Sequence, residues 1–307
     1  MVINMKQITD GVWPTMLTPF TDDNKIDYEA TERLIEWYIE NKVDGIFAMC
    51  QSSEMFYLTL QEKLNIINFT IKTVNKRVPV IASGHTSFDI KKQISELSHI
   101  TETGIDALVL ITNILATEEK TDDKFKKSVE EIINQLPSDI PLGIYECPHP
   151  FKYLVSPQLL KWCSDTGRFA FLKDTCCDID IIKEKINSIK GTDMKLFNAN
   201  SATLLQSLQL GGAGFSGVMA NFHPELYVWL VHNYKTDIAK AQKLQEFLSI
   251  ASFVEYVNYP ECAKVYLGSV IGMGSHTRRP FESKLTATNK VQMEHLRNVT
   301  KLFTEAL

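Results

Sequence analysis

Long apolar runs are missing from this sequence. A spanning helix needs roughly 18 or more consecutive apolar residues, and no segment reaches that length. Residues 1–10 also lack the apolar stretch of a signal peptide. Both absences point to a cytoplasmic protein with no membrane contact. A basic excess is missing too: the formal net charge is −5, and the cluster Arg278-Arg279-Pro280 is too short to form a nucleic-acid footprint. The six cysteines contain no Cys-x-x-Cys pair, and a chain this long needs no covalent staples, so they read as reduced thiols. The vicinal pair Cys176-Cys177 has no neighbouring ligands that would suggest metal. His85, His149 and His223 are not at metal-ligand spacing and read as ordinary loop or surface residues, with His149 the one best placed to meet a substrate. No metal is expected. Low-complexity tracts and Gly/Ser or Pro-rich hinges are absent as well, which favours one structural unit.

What is present is an alternation. Short apolar runs recur with longer segments of helical period between them, the pattern of a parallel sheet with covering helices. The runs are Val12–Leu17, Gly45–Met49, Pro79–Ala82, Ala107–Ile111, Leu142–Tyr145, Phe169–Lys173, Lys195–Asn198 and Gly214–Val218. Helices are expected at Asp27–Asn41, after the capping box Thr59…Glu62, at Ser87–Glu102 and at Asp122–Leu136. Eight such units at roughly 30-residue spacing favour a closed (β/α)8 TIM barrel over an open doubly wound sheet. After Phe222 the strands stop, and Leu226–Val231, Ile238–Val257 and Lys290–Leu307 read as helices. The expected organisation is an α/β barrel over 1–224 and a C-terminal helical extension over 225–307, packed across the barrel or against another subunit.

Barrel chemistry gathers where strands end. Those ends carry Thr15 and Thr18, the turn Gln51-Ser52-Ser53, Ser83 and His85, Asn113, Tyr145, Lys173, Asn198 and, on the eighth run, Ser216. Lys173 closes an apolar strand on the side of Phe169 and Phe171, and desolvation lowers an amine's pKa and makes it a nucleophile at neutral pH. The plain alternative is a lysine that reaches solvent or pairs with Asp174. Tyr145 ends the preceding strand, where a phenol can move protons at a carbinolamine; the plain alternative is a packed ring with a wet hydroxyl. Gln51-Ser52-Ser53 precedes a helix and offers donors that suit a carboxylate. Asp174 and Glu54 read as supporting or capping groups. The glycines Gly211-Gly-Ala-Gly214 raise a phosphate-handling barrel, but they precede the eighth strand, whereas barrel phosphate sites follow the seventh and eighth.

The ordered set resembles the dihydrodipicolinate synthase/N-acetylneuraminate lyase superfamily of Schiff-base aldolases over nearly the whole chain. Gly11-Val-Trp-Pro-Thr-Met-Leu-Thr-Pro-Phe20 resembles its opening strand, and Cys50-Gln-Ser-Ser-Glu54 its Gly-(Thr/Ser)-Thr-Gly-Glu loop. Tyr145-Glu-Cys-Pro148 resembles its Tyr-x-x-Pro motif, and Phe171-Leu-Lys-Asp-Thr175 its lysine motif. The resemblance implies that Lys173 forms the imine and Tyr145 transfers protons. It also implies that Gln51, Ser52, the Ser53 backbone and Ser216 face the substrate. The implied substrate is pyruvate or a related 2-keto acid, with no cofactor beyond the covalent imine and a homo-oligomer (dimer or tetramer) as the usual state. Three positions depart from the synthase pattern. Gln51 replaces the first hydroxyl of the loop, Asn113-Ile-Leu-Ala-Thr117 lacks the synthases' interface tyrosine, and His149-Pro150-Phe151 lacks their substrate-binding arginine, with Lys152 the nearest cation. A dehydratase acting on a sugar acid by the same lysine, or a keto-acid-binding barrel without turnover, are the alternatives.

Overall fold

The computed structural model describes residues 8–281 and 284–307. Eight strands, β1 (Gly11–Val12), β2 (Ile46–Met49), β3 (Val80–Ala82), β4 (Ala107–Ile111), β5 (Leu142–Tyr145), β6 (Phe169–Asp174), β7 (Lys195–Asn198) and β8 (Gly214–Phe215), form one parallel sheet. Its order is β1-β8-β7-β6-β5-β4-β3-β2. A parallel bridge from Thr15 to Phe47 closes the remaining seam, supported by the Phe47 N–H donating to the Pro14 carbonyl at 3.0 Å. The expected (β/α)8 barrel is therefore the fold.

The strands are near-continuous apolar runs because both faces are covered. Residues Ala107–Ile111 are all buried. Helices present one apolar stripe inward, as in Asp122–Ile133, where Phe125, Val129 and Ile132 are buried and the Thr121 side chain accepts from the N–H of Lys124. The capping box at Thr59 and Glu62 forms as the spacing predicts. Inside the barrel, aromatic rings from successive strands fill the space below the mouth. Phe171 and Phe197 meet edge to face at 6.0 Å, and Trp13 and Phe197 at 6.1 Å. Gly143 makes room for one of them, since a Cβ there would sit 2.1 Å from Phe171 Cζ.

The helix Pro224–Asn233 straddles the expected 224/225 border and packs on β1 and β8, so it serves as the barrel's eighth covering helix. The continuous helix expected over Ile238–Val257 instead ends at Ala251 and tightens into a 3₁₀ turn at Ser252–Tyr256. A further helix, Glu261–Ile271, follows Pro260 and stops at Gly272 in the left-handed region, φ 70°. The last helix is Ala287–Glu305. The segments between these helices cross the barrel mouth. Among the described residues no helix is long and apolar enough to cross a membrane.

Candidate active site

Lys173 sits at the top of β6, in register with Tyr145 on β5 and Phe197 on β7. It is 3% exposed, and its Nζ lies 4.4 Å from the centre of the Tyr145 ring. Below it are Phe171, Phe197, Phe47 and Trp13. Burial among these rings lowers its pKa from 10.5 to about 8, opposed by the neighbouring Cys50 and Cys147 thiols and the Asp174 and Glu146 carboxylates. An amine so placed is neutral in about one molecule in ten at pH 7, far more often than an exposed lysine, and the neutral form is the one that attacks a carbonyl.

The Tyr145 ring is fixed by an edge-to-face contact with Phe47, 5.7 Å between centres. Burial, with the Cys147 and Cys50 thiols next, holds its hydroxyl well above the usual phenol range, so it remains a proton donor. That hydroxyl meets the Cys147 thiol. Cys147 Sγ in turn lies 3.4 Å from Gln51 Oε1 and 3.3 Å from the His149 carbonyl. Burial pushes the thiol up to about 12, which leaves it protonated and able to donate. Asn113, buried at the top of β4, donates to the carbonyls of Cys147 and His149 at 2.9 Å each and so shapes the loop after β5.

The loop after β2 supplies the next wall. Ser52 Oγ donates to Thr15 Oγ1 at 3.0 Å and accepts from the Tyr259 hydroxyl at 2.8 Å. Asn221 Nδ2 donates to that same phenol at 3.1 Å. Ser53 is committed elsewhere. Its Oγ donates to the Met16 carbonyl at 2.7 Å, and its N–H turns back to the Cys50 carbonyl at 3.2 Å. Glu54 fastens the C-terminal cover: Oε1 takes the buried Lys264 ammonium at 2.6 Å, and Oε2 takes the N–H groups of Arg278 and Arg279 at 2.6 and 2.7 Å. It is a supporting group, as its place in the loop predicts.

These walls enclose a cavity of about 510 Å³. It brings together Lys173, Tyr145, Gln51 and Ser52 of the expected site residues. Ser53 and Ser216 are not in its lining. The Ser216 hydroxyl donates to the Trp13 carbonyl at 3.0 Å and borders a small void beneath Lys173 instead. The cavity also holds residues that sequence reasoning missed: Glu255, Tyr256, Asn258, Tyr259 and Arg279, all from the C-terminal segments. Glu255 faces it with no basic partner in contact among the described residues, and burial raises its pKa to about 7 against the pull of Lys173. Lys152 lines it too, its Nζ donating to the Thr175 carbonyl at 2.5 Å.

Two histidines are corrected. His85 and His223 stand in loops as expected but are fully buried, not surface groups. His85 Nε2 accepts the Ile111 N–H at 2.7 Å, so its proton sits on Nδ1 toward Gln93 Oε1 at 3.1 Å. His149 packs edge to face on Phe56 and is half-buried. No cluster of three metal-ligating side chains occurs among the described residues.

A closed (β/α)8 barrel with a desolvated lysine and a phenol on adjacent strand ends defines a class of barrel enzyme that works by amine chemistry. The sequence model of the Dihydrodipicolinate synthetase family matches residues 9–297, and the chain belongs to that family. It is 30% identical over 250 residues to a 4-hydroxy-tetrahydrodipicolinate synthase of Clostridium perfringens, covering 80% of this chain and 83% of the relative. A synthase of the same name from Thermodesulfovibrio yellowstonii is 30% identical over 288 residues, 92% of this chain and 95% of the relative. The fold matches YagE of Escherichia coli K12, a prophage protein of the dihydrodipicolinic acid synthase family solved with pyruvate. That match has a TM-score of 0.85 and 25% identity over 95% of this chain and 99% of that one. It also matches CdNal of Clostridium difficile, solved with mannosamine, at a TM-score of 0.84 and 19% identity, covering 95% and 99% of the two chains.

Proposed function

We propose that this chain is a lyase or aldolase that condenses or cleaves pyruvate, or a related 2-keto acid, through an imine on Lys173. The observation that carries the reading is the buried Lys173 amine held over the Tyr145 ring in a cavity with polar walls. In the forward step the neutral amine adds to the keto carbon, and the carbinolamine loses water as Tyr145 passes a proton to the departing oxygen. The protonated imine then acts as electron sink. Loss of a proton from the adjacent carbon gives an enamine, which attacks an aldehyde carbon, and hydrolysis returns Lys173. No metal or diffusible cofactor enters this sequence. Ser52 and Gln51 are the side chains proposed to meet the keto-acid carboxylate. Lys152 and Arg279 line the same cavity and stand in for the arginine missing after β5. A homo-oligomer in the cytoplasm belongs to the same reading.

Borohydride reduction in the presence of pyruvate, and of a panel of 2-keto acids and sugar acids, tests it. The expected result is a stable adduct on Lys173 found by peptide mass analysis, and none on Lys173→Ala. A protein left unmodified by the whole panel defeats the reading. An adduct of a keto sugar acid that has lost a second water, beyond the one released in imine formation, would identify a dehydratase working through the same lysine.

A further inference from the structure

Directly behind the reacting pair lies an ionic cluster that the imine chemistry does not itself use. Side chains alternate across a strand. Tyr145 and Lys173 face the cavity, whereas the next residues, Glu146 and Asp174, point into the layer between sheet and helices. There both meet one ammonium. Lys185, from the helix Ile179–Ser188, donates to Glu146 Oε1 and to Asp174 Oδ2, each at 2.6 Å. All three side chains are fully buried. Burial, then the Asp174 carboxylate, pushes Glu146 up to about 7. On Lys185 burial works against the charge, but the two carboxylates outweigh it and raise its pKa.

The place of this cluster matters more than its strength. The β5–β6 ladder is irregular at its beginning, where the register shifts between Leu142 and Gly143. It is stretched at its end, where the Glu146 N–H reaches the Lys173 carbonyl at 3.3 Å. Beyond that point side chains take over from the ladder. Glu146 Oε2 accepts the Thr175 N–H at 2.9 Å, Oε1 accepts the Val155 N–H at 2.8 Å, and Asp174 Oδ1 accepts the Cys176 N–H at 3.0 Å. Lys185 joins these two carboxylates, one from each strand, immediately after the two residues whose relative placement sets the chemistry. Buried charges held by one partner and several hydrogen bonds fix geometry well, even where they add little net stability.

We propose that Lys185 is a positioning residue: by holding Glu146 and Asp174 on one ammonium, it locks the ends of β5 and β6 and keeps Tyr145 set against Lys173. The inference rests on the Schiff-base reading above. Its effect falls on the rate of imine formation and not on keto-acid affinity, because Ser52 and Gln51 stand on the separate loop after β2.

The test compares Lys185→Met and Lys185→Arg with the parent chain by the rate at which borohydride traps pyruvate, followed against pyruvate concentration. In Lys185→Met, trapping at saturating pyruvate is expected to slow by about tenfold or more. The half-saturating concentration should stay within about threefold of the parent. Lys185→Arg keeps the charge but spreads it over a planar fork, and is expected to recover only part of the rate. A lysine that merely stabilises the fold would lower the melting temperature and leave trapping by the folded variants within about twofold of the parent. That result overturns the proposal, and Lys185→Arg alone decides it if Lys185→Met does not fold. A parent chain that traps no keto acid is a different failure: it removes the Schiff-base reading itself, and this inference with it.

Discussion

Lys173 is where residue chemistry is most exposed to test. With its pKa near 8, about one amine in ten is neutral at pH 7, some 300-fold more than for an unperturbed lysine. The sign is fixed: only the neutral amine attacks, so trapping at subsaturating pyruvate rises with pH through about 8 and levels above it. A rate still climbing past pH 10 would mean that burial does not depress this amine. Tyr145→Phe keeps the ring under the ammonium and removes only the hydroxyl. Its kcat is expected to fall by about 10²-fold or more, with the pH midpoint of trapping unmoved; steady-state rates and the trapping profile together check it. That both residues sit at the mouth was legible in the sequence, because each stands at the end of an apolar strand and strand ends in a barrel converge. Their reading as reacting amine and proton-transfer phenol rests on the motif resemblance. The part of Cys147 was not legible. Nothing about a cysteine two residues after Tyr145 says that its thiol meets the phenol, which depends on how Asn113 pulls the loop back under the mouth.

At the scale of elements, the barrel was readable and its cover was not. The eight apolar runs fall on the eight strands because a doubly covered strand must be apolar throughout. The extension looked like an unbroken amphipathic helix over Ile238–Val257, since a 3₁₀ turn continues the same hand and nearly the same period. The change at Ala251 is what carries Glu255 toward Lys173, and the turn before Pro260 is what brings Tyr259 to Ser52. Pro260 and Gly272 are ordinary boundary signals for the helix between them, so that element could have been found, but not its target. Glu54 is the fastening of this cover, and Glu54→Gln tests it. The variant leaves the buried Lys264 ammonium without its carboxylate, a loss of about 3–5 kcal/mol when one partner of a buried pair is removed. Urea unfolding should register that loss, and limited proteolysis should cut first between residues 272 and 281. A variant as stable and as resistant as the parent would show that the cover is held by its apolar contacts alone.

For the whole molecule, pH acts on several buried groups at once, and their signs differ. Burial lowers His85 and His223 to about 3, so below pH 6.5 the unfolded chain binds protons that the folded one refuses. Stability is then lost as pH falls, by about 1.4 kcal/mol per unit for each histidine, until the folded value is reached. Burial raises Glu146 and Glu255 to about 7 and raises Glu225 as well. These carboxyls take up protons more readily when folded, so between pH 7 and about 4.5 they add stability as pH falls. Over that window the two sets largely offset each other. Below about 4.5 the carboxyl gain is complete while the histidine loss continues, and carboxylates held low by partners, such as Glu62 beside Arg278, add to it. The two histidines alone then remove about 4 kcal/mol between pH 4.5 and 3, a large share of the 5–15 kcal/mol typical of a folded domain. The urea midpoint should therefore stay nearly flat from pH 7 to 5 and drop steeply below 4.5. His223→Phe separates the contributions, because the ring lies among Tyr227 and Phe247, Nε2 has no partner among the described residues, and the substitution gives up only the long 3.4 Å contact of Nδ1 with the Thr300 hydroxyl. It should remove one histidine's share of the steep part and, because the carboxyls then outweigh the one histidine left, turn the plateau into a rise of about 1.4 kcal/mol per unit as pH falls from 6.5 to about 4.5. A decline that begins at pH 6.5 with the slope of two protons would show that the buried carboxyls do not offset the histidines. An unchanged slope in the variant would show that His223 is not the buried neutral group its surroundings make it.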